Sequence, residues 1–216
     1  MHKSTLLFIS AISFVLSSSA IAESVWKQEV GNLRGIELGT NAYSVYKECP
    51  KKDKNTFSLS PYFSSIDSDY PPEFKDIPCY KVTENRLVVQ GAKQLNIDNL
   101  MFIQGAGREA VVTLINDRVE SIEVEFLNQH FEQIKIAMME KYGNPSKKET
   151  LSFQNSFGQT FLAESLQWNG KSVMLLLDEH RSGDKDWGQI VMSSQTYLNK
   201  LNEWFLERKN SIKKGL

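Results

Sequence analysis

A-V-V-T-L-I-N-D-R-V-E-S-I-E-V-E-F, Ala110 to Phe126, is the stretch on which the fold turns. Val111, Thr113 and Ile115 alternate with Val112 and Leu114. After Asn116-Asp117-Arg118 the chain resumes with Ile122, Val124 and Phe126 alternating strictly with Ser121, Glu123 and Glu125. A period of two on both sides of a short polar turn predicts a β-hairpin whose second strand has one apolar and one wet face. A strand of that kind belongs to an antiparallel sheet with something packed over its apolar side.

What packs there is suggested by the next segment. Phe131, Ile134, Met138 and Tyr142 fall at i, i+3, i+7 and i+11, one stripe of a helix that Asn128 is placed to cap. The run E-K-Y-G-N-P-S, Glu140 to Ser146, stops it: Gly143 suits a left-handed C-terminal residue and Pro145 forbids continuation. Further on, Phe161 to Trp168, Asn169-Gly170 and Lys171 to Leu177 read as a second hairpin. Its second strand is apolar on both sides, through Val173, Leu175 and Leu177 and through Met174 and Leu176. A loop from Asp178 to Gly188 leads to a strand over Gln189 to Ser193. A last helix, Gln195 to Asn210, presents Leu198, Leu201, Phe205 and the stem of Arg208, and residues 211–216 form a basic frayed tail.

Towards the N-terminus, Arg34 to Thr40 predicts a short strand or turn running into a helix over Ala42 to Cys49, capped by Thr40 or Asn41. Arg86 to Gln90 and Asn99 to Gln104 read as strands, with Gly105-Ala106-Gly107 as a turn. The expected class is α+β: an antiparallel sheet with helices packed on one face, in a single domain over residues 23–210. The element order suggests two α-then-β half-repeats, 33–127 and 128–210.

The first 22 residues read differently. A basic start, an apolar run from Thr5 to Leu16 and an A-x-A end at Ala20 to Ala22 predict a secretory signal cleaved after Ala22, and hence a periplasmic or secreted chain. The apolar run is short of the roughly 20 residues of a membrane span, and no later stretch of the mature chain reaches that length. With 25 basic and 26 acidic residues the charge is near neutral and dispersed, which excludes the basic patch that nucleic-acid binding needs. Both cysteines, Cys49 and Cys79, lie beyond the signal, and an exported chain pairs them. The chain-entropy model assigns roughly 3.5 kcal/mol to closing such a loop. The loop itself, with K-K-D-K-N-T and S-S-I-D-S-D-Y-P-P, is a poor core former.

Chemistry is sparse. His130 lies in a helix's first turn, with no nucleophile motif to serve, since no G-x-S-x-G is present. Asp178, Glu179, His180, Asp184 and Asp186 crowd one loop, but their spacing matches no EF-hand, so a solvated hairpin loop is expected and no metal or cofactor is assigned. Glu123 and Glu125 point the same way, roughly 6.5–7 Å apart by strand rise, as glycosidase carboxylates do and as any wet strand face does. G-A-G-R-E, at 105–109, opens no helix and makes no phosphate cradle. S-F-Q-N-S-F-G-Q-T-F, Ser152 to Phe161, places three phenylalanines in a polar segment, which is costly if they serve nothing. Trp187 reads as a plug over the hairpin edge rather than an exposed recognition group. If the chain binds a protein partner, Phe153, Phe157, Phe161, Asp178, His180, Asp184, Asp186 and Trp187 are the expected contacts.

G-I-x-L-G at 35–39, the cysteine pair, I-E-V-E-F, K-Y-G-x-P, Q-N-x-x-G-x-x-F and L-x-W together resemble a family of small exported bacterial proteins of uncharacterised function, over Leu33 to Ser193. The G-I-x-L-G start before a helix is also loosely similar to outer-membrane assembly lipoproteins of the SmpA/OmlA type and to β-lactamase-inhibitor-like repeats, although no lipidated cysteine is present. The resemblance implies export and an α+β fold and brings no catalytic residue. The function expected is a non-catalytic periplasmic protein-binding protein, an inhibitor or immunity protein against a cell-wall-directed enzyme or toxin. The alternatives are an envelope assembly or maintenance factor and a metal-assisted hydrolase.

Overall fold

The computed structural model describes Trp26, Glu29 and residues 31–50, 77–83, 89–100, 106–107, 109–154, 158–181 and 184–214, with side chains up to residue 211. The expected signal segment, Phe157, and most of the strands expected at 86–90 and 99–104 lie outside the described residues.

The hairpin at Ala110–Phe126 forms as the alternation demands. Strands β6 (Ala110–Ile115) and β7 (Arg118–Leu127) pair around Asn116 and Asp117, whose φ values of 52° and 62° make the two-residue turn whose twist matches a hairpin. Between Thr113 and Leu114 the register shifts, which leaves Glu120 as an extra residue on β7.

Around this hairpin stand β1 (Asn32–Leu33), β2 (Ile36–Glu37), α1 (Ala42–Val45), β3 (Lys47–Glu48), β4 (Cys79–Thr83) and β5 (Ala92–Asp98) on the N-terminal side. On the C-terminal side follow α2 (Phe131–Tyr142), β8 (Lys147–Gln154), β9 (Thr160–Asn169), β10 (Val173–Asp178), β11 (Trp187–Ser194) and α3 (Gln195–Lys214). Strands β1 and β2 make a small hairpin of their own. The others form one nine-stranded sheet in the order β3-β4-β5-β6-β7-β11-β10-β9-β8. Among the described strands only β3 and β4 run parallel within it. The class is α+β, as expected. The sheet is two four-stranded meanders, β4 to β7 and β8 to β11, that meet through their last strands.

Because paired residues of an antiparallel ladder share a face, the registers assign every strand residue to one of two faces. One face carries Leu95, Ile97, Val112, Leu114, Ile122, Val124, Phe126, Met192, Leu175, Leu177, Leu166 and Trp168, all buried. It is covered by Phe131, Met138 and Tyr142 of α2 and by Trp26, Ile36, Ala42 and Tyr46 of the N-terminal part. Phe131 stacks on Phe126 with centroids 6.5 Å apart, and Trp26 lies 5.8 Å from the ring of Tyr142. Placement of helices over one face therefore holds for α1 and α2. Helix α3 starts over the opposite face, where Tyr197 bonds to Thr113. None of its residues up to Ser211 is buried; Phe205 of the expected stripe is 55% exposed, and Leu206 beside it 61%.

Several expectations fail for identifiable reasons. The helix from Ala42 is capped by the Asn41 side chain, which accepts from Tyr43 and Ser44 N–H, but it ends at Val45 rather than Cys49. Tyr46 turns extended so that β3 can lie beside β4, where Cys49 N–H donates to Tyr80 O at 2.9 Å and the Cys49–Cys79 disulfide closes. Val89 and Gln90 are turn residues leading to Gly91, and the strands flank the expected one: β4 and β5 run C-Y-K-V-T and A-K-Q-L-N-I-D. Asn99, at φ 58°, ends β5 where a strand was expected to start. Asn128 lies in a 3₁₀ turn, Asn128–His130, and its side chain makes no cap bond to α2. The second hairpin turns at Gly170 to Ser172 rather than on Asn169-Gly170. The face of β10 with Met174 and Leu176 is only half-buried. Helix α3 continues through Lys214, past its expected end at Asn210.

Gly143 does stop α2. Its φ of 88° and ψ of −168° lie where only glycine is comfortable, its N–H donates to Met139 O at 2.9 Å, and its carbonyl accepts from Trp168 Nε1 at 2.9 Å. Replacing Gly143 by valine is expected to lower stability by about 2 kcal/mol, read from the shift in urea midpoint at unchanged slope.

Candidate functional site

The polar face of the sheet is richer than a solvated surface. Across its centre, Ser121 and Ser193, both buried, share a hydrogen bond of 2.9 Å. Next along the strands, Glu123 and Glu125 stand side by side, as the alternation predicts, and are half-buried rather than wet. Arg181 bridges them, with Nη1 2.7 Å from Glu125 Oε1 and Nε 3.6 Å from Glu123 Oε1. Burial pushes the Glu123 carboxyl above its ordinary value, Arg181 opposes that rise, and Glu125 adds to it. The two carboxylates are thus committed to anchoring the loop after β10, a role that sequence alone did not suggest. Asp178 is likewise engaged: Ser165 Oγ donates to its Oδ1 at 2.6 Å and Gln189 Nε2 to its Oδ2 at 2.8 Å.

At the outer end of this face the structure brings three of the expected contacts together. Phe153 and Phe161 are cross-strand partners on β8 and β9 and stack at 5.8 Å. The His180 ring stands edge-on to both, at 6.3 Å from Phe153 and 5.2 Å from Phe161, and is only 8% exposed. Asn128 fixes it. The Asn128 Nδ2 atom reaches both Lys185 O at 3.0 Å and His180 Nδ1 at 3.3 Å. A carbonyl only accepts, so that atom is the amide nitrogen, and Asn128 holds the His180 ring against the Lys185 backbone. A depression of about 570 Å³ opens beside this cluster, lined by Asn128, Thr160, Phe161, Glu179, His180 and Lys185.

The remaining expected residues are dispersed. Asp184 and Asp186 are exposed at the outer turn of the loop, where Asp184 Oδ1 accepts from Asp186 N–H at 3.0 Å. Trp187 is half-buried and opens β11 opposite Leu127. Among the described residues no three of the His, Cys, Asp and Glu side chains are arranged as metal ligands. Among the described residues His130 bonds to Gln129 and Gln133.

Among the described strands the sheet ends at β8, to which the sequence reading assigned no element. Seven of its eight residues are exposed and only Phe153 is partly covered. The segment K-K-E-T-L-S-F-Q has just two apolar residues, because an edge strand covers no core on either face. Leu151, at 37% exposure, shares the polar face with Phe153.

On the opposite face, α2 is tied to this edge by charge. Glu164 accepts from Lys148 at 2.6 Å and from Lys135 of α2 at 2.9 Å, and Lys135 also meets Glu132 at 2.6 Å. Lys148 first, then Lys135, hold the Glu164 carboxyl below its ordinary value of 4.5. A depressed carboxylate stabilises the fold above its unfolded value, and that contribution is lost as pH falls through the lower folded value. Glu164→Gln is therefore expected to be less stable than the parent at neutral pH and equal to it in acid. Paired urea titrations at about pH 7 and about pH 3 check this.

Among the described residues no helix is long and apolar enough to cross a membrane. The disulfide fits an extracytoplasmic protein. No curated protein and no solved structure matches the chain. A family model described as "Uncharacterised protein" matches residues 73–212, a span that starts after the G-I-x-L-G segment and Cys49 and takes in both meanders, α2 and most of α3. That match covers more than half of the 216 residues, and the chain belongs to this family.

Proposed function

We propose that the protein is a non-catalytic periplasmic binding protein, exported by its N-terminal signal, that acts by contact with another protein. One observation carries the reading: β8 is an exposed edge strand whose Phe153 stacks on Phe161 and meets the buried His180, with Leu151 on the same face. An edge strand offers unpaired backbone donors and acceptors to an extended partner segment, and flanking aromatics supply side-chain selectivity. Phe153, Phe161 and His180 form the centre of the proposed contact. Asp178 and Arg181 hold the loop in place, while Asp184, Asp186 and Trp187 lie at its rim. In its concrete form the protein is an inhibitor or immunity protein against a cell-wall-directed enzyme or toxin.

The test is capture from periplasmic extract by the folded full chain, with Phe153→Ser and Thr150→Pro run in parallel. Proline on an edge strand removes a donor at little cost to the fold. The reading expects one stoichiometric partner, held by the parent and lost, by roughly tenfold or more in affinity, from both variants. A partner that binds the parent and both variants alike would sink this surface.

A further inference from the structure

At the far end of β9 and β10 from His180, the chain turns through Gly170, Lys171 and Ser172, and four donors there converge on one carboxylate. Ser172 N–H donates to Glu29 Oε1 at 2.6 Å, Ser172 Oγ at 2.7 Å and Val173 N–H at 2.8 Å, while Lys171 N–H donates to Glu29 Oε2 at 3.2 Å. Three successive peptide N–H groups aimed at one point form a concave anion cradle. The cradle does not owe its shape to Glu29. Gly170 N–H closes on Val173 O at 2.8 Å, and Gln195 N–H, at the start of α3, donates to Ser172 O at 2.8 Å, so β9, β10 and α3 hold the turn. Gly170 also clears the space: a Cβ there would lie 2.7 Å from the Glu29 carboxyl carbon and from Oε1. Burial opposes the charge on Glu29, yet the bonds from Ser172, Val173 and Lys171 outweigh it and hold the carboxyl below its ordinary value.

Room for a longer ligand adjoins the cradle. A depression of about 520 Å³ is lined by Glu29, Gly31, Leu38, Gly39, Ser172 and Gln195, among others. Glu120 also lines it, and its carboxylate accepts from Ser194 Oγ. A second negative charge so close disfavours a dianion such as phosphate and leaves a monocarboxylate as the matching chemistry.

We infer that the Gly170–Val173 turn is a carboxylate receptor which Glu29 fills from within, and that the carboxylate of a peptide-like ligand binds there by taking the place of Glu29. This site is separate from the β8 edge, and its test does not depend on that edge binding anything.

The experiment titrates acetate into the full chain carrying Glu29→Ala and follows the amide ¹⁵N–¹H shifts of Lys171, Ser172 and Val173. The variant is expected to show saturable shifts at these three amides and a thermal midpoint that rises with acetate. The parent is expected to need at least about tenfold more acetate, because its own carboxylate competes at high effective concentration. Phosphate is expected to leave the three amides unmoved. The inference is overturned if the vacated turn shows no saturable shift, if parent and variant respond alike, or if phosphate serves as well as acetate. Should Glu29→Ala fail to fold, Glu29→Ser keeps a polar side chain too short to reach the turn, and the same three amides are read against the same outcomes.

Discussion

Gly188→Ala is expected to lower the stability of the fold by about 3–4 kcal/mol. A methyl carbon at this position would stand 2.3 Å and 2.5 Å from ring carbons of Phe126 and 2.8 Å from the backbone oxygen of Asp178. Neither neighbour can yield. Phe126 is fully buried and stacked on Phe131, and Asp178 O belongs to the backbone of β10. The position also joins the two meanders, since Gly188 pairs with Phe126 across the β7–β11 seam. Circular dichroism and a urea titration of the variant check the loss. A variant within about 1 kcal/mol of the parent would mean that β7 and β11 do not pack this closely.

Trp168→Ala is expected to cost about 4 kcal/mol, a substantial part of the 5–15 kcal/mol by which a domain is usually stable. Trp168 is fully buried, so the change opens a large cavity on the apolar face and also strips the Gly143 carbonyl of its donor. Trp168→Phe separates the two effects: it refills most of the volume and leaves the carbonyl unpaired, at about 1–3 kcal/mol. If the two variants lose the same stability, the hydrogen bond rather than the volume is what Trp168 supplies.

How much of this was legible depended on how strongly each segment expresses one physical period. The β6–β7 hairpin, the stripe of α2 and the stop at Gly143 were all readable, because each pairs a clear alternation or spacing with residues whose chemistry has few other uses. The strand β8 was hidden for the opposite reason. It buries nothing, so no hydrophobic pattern marks it, and only pairing with β9 makes it a strand. The strands β4 and β5 were passed over because Lys81, Lys93, Gln94 and Asn96 interrupt the apolar pattern of Val82, Leu95 and Ile97. The pairing of Cys49 with Cys79 was readable, but the extended β3 that it enforces was not. At the site, the aromatic and histidine content of the two loops pointed to Phe153, Phe161 and His180. Asn128, which orients His180, and Arg181, which ties the loop to Glu123 and Glu125, act over separations of more than 50 residues. No local pattern announces such contacts. Glu29 is a further case, placed 143 residues before the hydroxyl it meets.

The arrangement of the sheet also bears on how quickly the chain finds it. Within each meander, every strand pairs with its neighbour in sequence, so those ladders close short loops. The seam between β7 and β11 is different: its buried serine pair joins residues 72 apart, with α2 and three strands in between. Closing so long a loop requires both halves to be assembled, or nearly so, before the pairing compensates the lost chain entropy. The seam is therefore expected to be the slowest pairing to form, as refolding rates of seam variants measured by stopped flow would show. Substitutions at Ser121 or Ser193 should chiefly slow refolding, whereas equally destabilising changes out on β8 should chiefly hasten unfolding.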